Sequence, residues 1–172
     1  GVPRLGSDEE GQHLASDGMV RFVLGFGGLG ARAARRAAVK SYDGYGARWA
    51  TVVHATAWIS PTAHLAEGVF VSAGAVVNSG ARVERHAIIN TGAIIEHDVV
   101  VGEFAQVSPA ATIGGAGRVG RDAYVGLGAS VRDHVAIGDA ATVGMGAVVV
   151  AGVPDGVVVV GNPARAQGTS RG

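Results

Sequence analysis

One histidine in this sequence stands where a proton could be moved. His97 lies between two acids, in Ile95-Glu96-His97-Asp98-Val99. A neutral imidazole accepts a proton near neutral pH, and a neighbouring carboxylate can hold its ring in one tautomer. By itself the tripeptide is also what a solvated surface produces, so its setting decides. A second stretch with chemical capacity is Gly25-Phe26-Gly27-Gly28-Leu29-Gly30, which matches G-x-G-x-x-G. It follows an apolar run, Met19 to Leu24, and precedes strong helix formers, Ala31 to Lys40. A strand, a glycine turn and a helix in that order can cradle a phosphate on backbone N–H groups. The acidic residue that usually ends the next strand is missing, because Asp43 precedes the second predicted strand, Trp49 to Val53. Gly25 and Gly27 are therefore candidate substrate contacts, and equally a plain reversal from strand to helix.

The frame that must position these residues is written in steps of six. From Ile59 every sixth residue to Val149 is Ile, Leu or Val. From Ala63 every sixth residue to Val153 is Ala, Gly or Val. A period of six fits neither a helix nor a lone strand, so it marks a solenoid of short strands and tight turns. The large aliphatic points inward, and the small residue four positions on sits where the wall bends. Gly74, Asn78, Gly80, Gly92 and Gly102 fall between, where turns need small residues or positive φ.

Composition closes off other classes. Gly is abundant at 29 of 172 residues, yet the apolar share is 48%, so this is no disordered glycine-rich chain. Formal net charge is zero, which argues against a nucleic-acid or anionic-membrane partner. Without cysteine there is no disulfide framework and no thiolate metal site. No apolar run is long enough to span a bilayer and no signal peptide opens the chain, so a cytoplasmic protein is expected. Residues 1 to 18 read as polar connector with at most a short helix. One strand–turn–helix–strand fragment is too small to bury its own sheet, so it is expected either to pack on something else or to be incomplete.

These features resemble the hexapeptide-repeat acyltransferases, and within them the nucleotide-sugar acetyltransferases. That subgroup includes the sialic-acid O-acetyltransferases and the N-acetyltransferases of bacillosamine and perosamine biosynthesis. The matching segments are the glycine turn with Arg32, the linker VVHATAWISPTAHL, the core IINTGAIIEHDVVVGEFAQVSPAA and the end VVVVGNPAR. The resemblance implies a left-handed parallel β-helix with three hexads per coil, about five coils in all. It divides the chain into a partial Rossmann-like α/β portion (1–53), a β-helix domain (54–165) and a disordered tail (166–172). It also implies a further βαβ portion ahead of Gly1, so the chain is expected to be truncated at its N-terminus.

On this frame Gly115 lies one coil beyond His97. The resemblance makes His97 the general base, Asp98 the residue that orients it, with Glu96 as a competitor, and Gly115 an N–H donor to the oxyanion. It places Asn90 near the sugar, in a column with Ser108, Gly126 and Gly144. Gln106 stands where the family usually carries a His that contacts the acyl donor. Acetyl-CoA is the expected donor, with its arm along Pro109, Leu127 and Met145, beside Gly144, and Arg165 near its phosphates. His64, His86 and His134 are assigned to other corner columns. No His pair has the spacing of the zinc enzymes that share this fold, so no metal is expected. A homotrimer follows from the resemblance, because such sites form between neighbouring β-helices.

Three functions fit these residues. The first is acetyl-CoA-dependent N-acetylation of a nucleotide-linked amino sugar in surface-glycan biosynthesis. The second is O-acetylation of a sialic-acid-type sugar, since His97 can deprotonate either nucleophile. The third is a non-catalytic assembly module.

Overall fold

The aliphatic cadence becomes a prism. The computed structural model describes residues 6–169. From Val52 to Val149 the chain runs as two-residue strands separated by four-residue corners. Each strand pairs in parallel with the one eighteen residues on: Ile94–Ile95 lies between Val76–Val77 and Thr112–Ile113. Three hexads therefore make one coil, and about six coils stack into a left-handed parallel β-helix.

The prism has three faces. One carries six strands, Trp58–Ile59 through Val148–Val149, and is called the apolar face. The next carries five, His64–Leu65 through Ala136–Ile137, with Arg82 and Arg118 pointing outward, and is called the arginine face. The third runs from Val52–Val53 to Thr142–Val143 and is closed by Val157–Val160. An α/β unit lies on this covered face.

The second residue of each strand fills the core. Val77, Ile89, Ile95, Val107 and Ile113 are all 0% exposed, as are the small residues Ala75, Ala93 and Ala111 beside them. Truncating one such Ile to Ala costs ~2–5 kcal/mol, because a one-residue-wide core cannot close around the gap. The corners turn on left-handed backbone at their third residue. Eight non-glycine residues adopt it, among them His86, Asp98 and Phe104, with φ of 58°, 59° and 58°. Coil-to-coil hydrogen bonds hold them there: Asp98 N–H donates to Ser79 O (2.9 Å) and Phe104 N–H to Arg85 O (3.0 Å).

The α/β unit consists of α1 (Asp8–Ser16), β1 (Arg21–Phe22), α2 (Arg32–Asp43) and β2 (Arg48–Trp49), with β1 and β2 parallel. Arginines on α2 fasten it to the β-helix. Arg32 donates to the carbonyls of Ala140 (3.0 Å) and Ala141 (3.3 Å) and to the Thr142 hydroxyl (2.8 Å). Arg35, 1% exposed, donates to His86 O (2.5 Å) and Phe104 O (3.5 Å). Arg36 pairs with the buried Asp122. Burial pulls the Arg35 guanidinium down to about 10, still charged at neutral pH.

Three expectations are revised. The stretch Trp49 to Val53 is two strands: Arg48–Trp49 belongs to the α/β unit, while Val52–Val53 pairs with Phe70–Val71 and opens the β-helix. Val53 is in phase with Ile59, so the repeat begins one hexad earlier, and the coils number about six instead of five. Residues Arg165–Thr169 form a strand antiparallel to Val157–Val160, in place of the disorder expected from 166. That strand's edge was open and the turn at Gly161 to Pro163 returns the chain to it. Residues 1–5 and 170–172 lie outside the described residues.

Candidate active site

His97 is the second residue of its corner, on the edge between the apolar and arginine faces. Its side chain is 58% exposed, so the imidazole is outside the core. Asp98 Oδ2 lies 3.0 Å from Nδ1 of the ring. The left-handed backbone at Asp98 turns its carboxylate back toward the preceding side chain. Glu96 is occupied otherwise, accepting the His97 backbone N–H at 3.3 Å. Of the two acids, only Asp98 meets the ring.

Gly115 stacks on His97 one coil along. A Cβ at Gly115 would collide with His97 Nε2 and lie 2.7 Å from Cε1. The glycine is kept by this close approach; its φ is not in the left-handed range. The neighbouring ladder fixes the pair, with Ala116 N–H donating to His97 O (2.8 Å) and His134 N–H to Gly115 O (2.9 Å). Among the described residues the Gly115 N–H donates to no acceptor. A proton acceptor and a free amide donor are thus adjacent, the pair that acyl transfer requires.

The column Pro109, Leu127, Met145 runs along a different edge, between the covered and apolar faces. Leu127 and Met145 are 48% and 78% exposed. Gly126 and Gly144 flank them and keep the wall flat: a Cβ on Gly126 would come within 2.6 Å of Met145 N, and one on Gly144 within 2.8 Å of Val160 Cγ1. Among the described residues the N–H groups of Leu127 and Met145 donate to no acceptor. Arg165 lies at the end of this edge, exposed, donating to Ala164 O (2.9 Å). The His97 edge and the Met145 edge are separated by the whole apolar face, one hexad of chain, up to ~20 Å. One chain does not bring them together.

A cavity of about 420 Å³ adjoins the Met145 edge on the covered face. Gly25, Gly27 and Gly28 line one side of it; Phe70, Ser72, Ile88, Asn90 and Gln106 line the other. The glycine turn and Asn90 are therefore together. Asn90 Oδ1 accepts the Thr91 N–H (2.8 Å), and its NH₂ has no protein acceptor among the described residues. Gln106, for which the resemblance implies a contact with the acyl donor, lies in the strand Gln106–Val107 on the covered face. It is 5% exposed, and its carboxamide is bonded to the glycine turn, not displayed on the Met145 edge.

Two further histidines sit at corners, in columns other than that of His97. His134 shares the His97 edge, two coils along, and bonds Asp133 at 3.2 Å through Nδ1. His86 is wholly buried, stacked on Phe104 (5.1 Å) with Trp49 edge-on (5.0 Å). Burial and the nearby Arg85 push His86 down to about 4. Sequence reasoning missed Arg35, Arg36 and Asp122; the charge of α2 was visible, but not which carbonyls it meets. Among the described residues no group of three His, Cys, Asp or Glu is placed to hold a metal.

A left-handed β-helix with an exposed histidine stacked on a glycine at one edge has the architecture of a hexapeptide acyltransferase. No protein-family model and no curated protein sequence matches the chain. Solved structures do. PerB from Caulobacter crescentus, in complex with CoA and GDP-perosamine, is 35% identical over 98% of this chain and 80% of its own, with a TM-score of 0.91. A mutant of GDP-perosamine N-acetyl transferase from the same organism is 34% identical over 98% of this chain and 79% of its own, with a TM-score of 0.91. The acetyltransferase domain of PglB from Neisseria gonorrhoeae, in complex with acetyl coenzyme A, is 35% identical over 80% of this chain and 67% of its own, with a TM-score of 0.78. The chain belongs to the family of hexapeptide-repeat β-helix acetyltransferases.

Proposed function

We propose that this protein transfers an acetyl group from acetyl-CoA to the amine of a nucleotide-linked amino sugar. The observation that carries the proposal is the close approach of His97 Nε2 to Gly115, which leaves no room for a Cβ there. His97 takes the proton from the attacking amine. Asp98 holds Nδ1–H and so directs Nε2 outward. The Gly115 N–H donates to the oxyanion as the amine adds to the acetyl carbon. The C–S bond then breaks, and His97 returns the proton to the departing CoA sulfur. The relatives with GDP-perosamine and with acetyl coenzyme A support this choice of substrates.

The unpaired N–H groups of Leu127 and Met145, with Gly144 between them, suit the amide carbonyls of an extended pantetheine arm, and Arg165 suits its phosphates. The cavity bounded by Gly25, Gly27 and Asn90 suits the nucleotide sugar. The α/β unit then acts as the sugar-nucleotide portion and the β-helix as the transferase portion. The donor edge and the His97 edge complete one site only if the apolar face packs against other copies. Trp58, 52% exposed, and the half-buried Val76, Ile94 and Val148 make that face self-associating, and a homotrimer is the assembly proposed. No described helix is long and apolar enough to cross a membrane, and the cytoplasm is the compartment proposed.

The test is incubation with acetyl-CoA and UDP- or GDP-linked amino sugars, followed by mass and NMR analysis of the product. Acetylation on nitrogen, abolished by H97A, is the expected result. Acetylation on a hydroxyl, or no transfer by an intact trimer, would overturn it.

A further inference from the structure

We propose that Gln106 is a positioning residue for the sugar-side cavity, acting on the glycine turn, and that it does not contact the acyl donor. The inference rests on the reading of that cavity as the nucleotide-sugar pocket. Gln106 Oε1 accepts the Gly28 N–H at 2.6 Å, and Gln106 Nε2 donates to Gly28 O at 3.3 Å. One side chain thus grips both polar groups of one glycine, as a neighbouring strand would. A carboxamide can do this because its acceptor and donor point the same way from one carbon. An imidazole has its two nitrogens on divergent directions and cannot make both bonds at once.

Gly28 needs such a grip. Its φ of 108° and ψ of 165° fall in a region that only glycine enters readily. Beyond it the chain turns into the helical residues Leu29–Ala31 and then α2, and Gly28 O also accepts the Ala31 N–H at 3.0 Å. Gly27 lies flush on the same wall: a Cβ there would come within 2.8 Å of Ile88 Cδ1 and 3.2 Å of Gln106 Oε1. The turn is therefore seated on the Ile88–Gln106 pair. Gln106 is itself fixed by its strand, with its N–H on Ala123 O (2.9 Å) and strand partners Ile88 and Tyr124. Its side chain sits on the covered face, whereas the free amides of Leu127 and Met145 lie on the edge beyond it. A residue committed to Gly28 shapes the mouth of the cavity and leaves the donor edge untouched.

The experiment compares wild type with Q106A and Q106E by hydrogen exchange and by steady-state kinetics with both substrates. In Q106A, amides of residues 24–30 should exchange at least about tenfold faster while core amides such as Ile95 and Ile113 stay protected. The KM for the nucleotide sugar should rise about tenfold, with kcat and the KM for acetyl-CoA within about twofold. Q106E keeps an acceptor for Gly28 N–H but repels Gly28 O, so it should fall between wild type and Q106A. Unchanged exchange in 24–30, or a rise in the acetyl-CoA KM instead, would overturn the inference. If the wild type turns over no nucleotide sugar, the functional reading fails while the exchange result still decides the role of Gln106.

Discussion

His97 Nε2 occupies the space that a side chain on Gly115 would fill. The two residues are eighteen apart in sequence and one coil apart in space, so the catalytic proposal rests on a contact between stacked corners. Replacing either member tests it differently. H97A removes the base and should cut kcat by about 10²–10⁴-fold, because a positioned proton acceptor is worth that much. The fold should survive, since the ring is outside the core; circular dichroism and thermal melting check this.

Gly115→Ala leaves the backbone unstrained but puts a methyl against the imidazole. The ring must swing off, away from both the Gly115 amide and Asp98. The expected loss in kcat is about 10–10²-fold with Tm changed by only a few degrees, for the N–H itself remains. A variant with full activity would show that the close approach is incidental.

Asp98 and Glu96 should separate cleanly. D98N loses the carboxylate that holds Nδ1–H and should lower kcat about tenfold or more. E96Q changes only a partner of the His97 backbone N–H and should stay within about twofold. Equal effects from both substitutions, measured as kcat at saturating substrates, would contradict the hydrogen bonding found here.

His86 gives the joint between the two units an acid sensitivity. Its folded-state value is pushed from 6.5 down to about 4. The folded protein therefore binds fewer protons than the unfolded chain between those limits. Stability is fully present above pH ~6.5 and is lost as pH falls toward ~4, by up to ~3 kcal/mol. H86F keeps an aromatic ring between Trp49 and Phe104 and cannot titrate. Wild type should lose more Tm than H86F between pH 7 and 4; parallel losses would assign the acid lability elsewhere.

Mixed assemblies test whether the site is shared. H97A has an intact donor edge, and a Leu127→Arg variant has an intact base edge. Each alone should be inactive. If sites form between copies, co-refolding equal amounts should restore about a quarter of wild-type activity, the fraction of sites that draw an intact edge from each partner. No recovery from mixed trimers, confirmed by tagged co-purification, would place the whole site within one chain.

The cadence of six was enough, read alone, to settle the β-helix, the inward aliphatics and the outward corner of His97. Each coil repeats the same local rule, so sequence distance converts directly into place, and a step of eighteen lands Gly115 on His97. Non-repeating contacts carried no such signal. Gln106 reached Gly28 across 78 residues, and Arg35 reached His86 O across 51, through bonds to backbone groups that any residue type would offer. Whether Arg165–Thr169 lay free or paired depended on an open strand edge, not on its own composition. Those relations belong to the docking of one unit on another and to the three-sided closure of the coil, and both are decided only when the chain is folded.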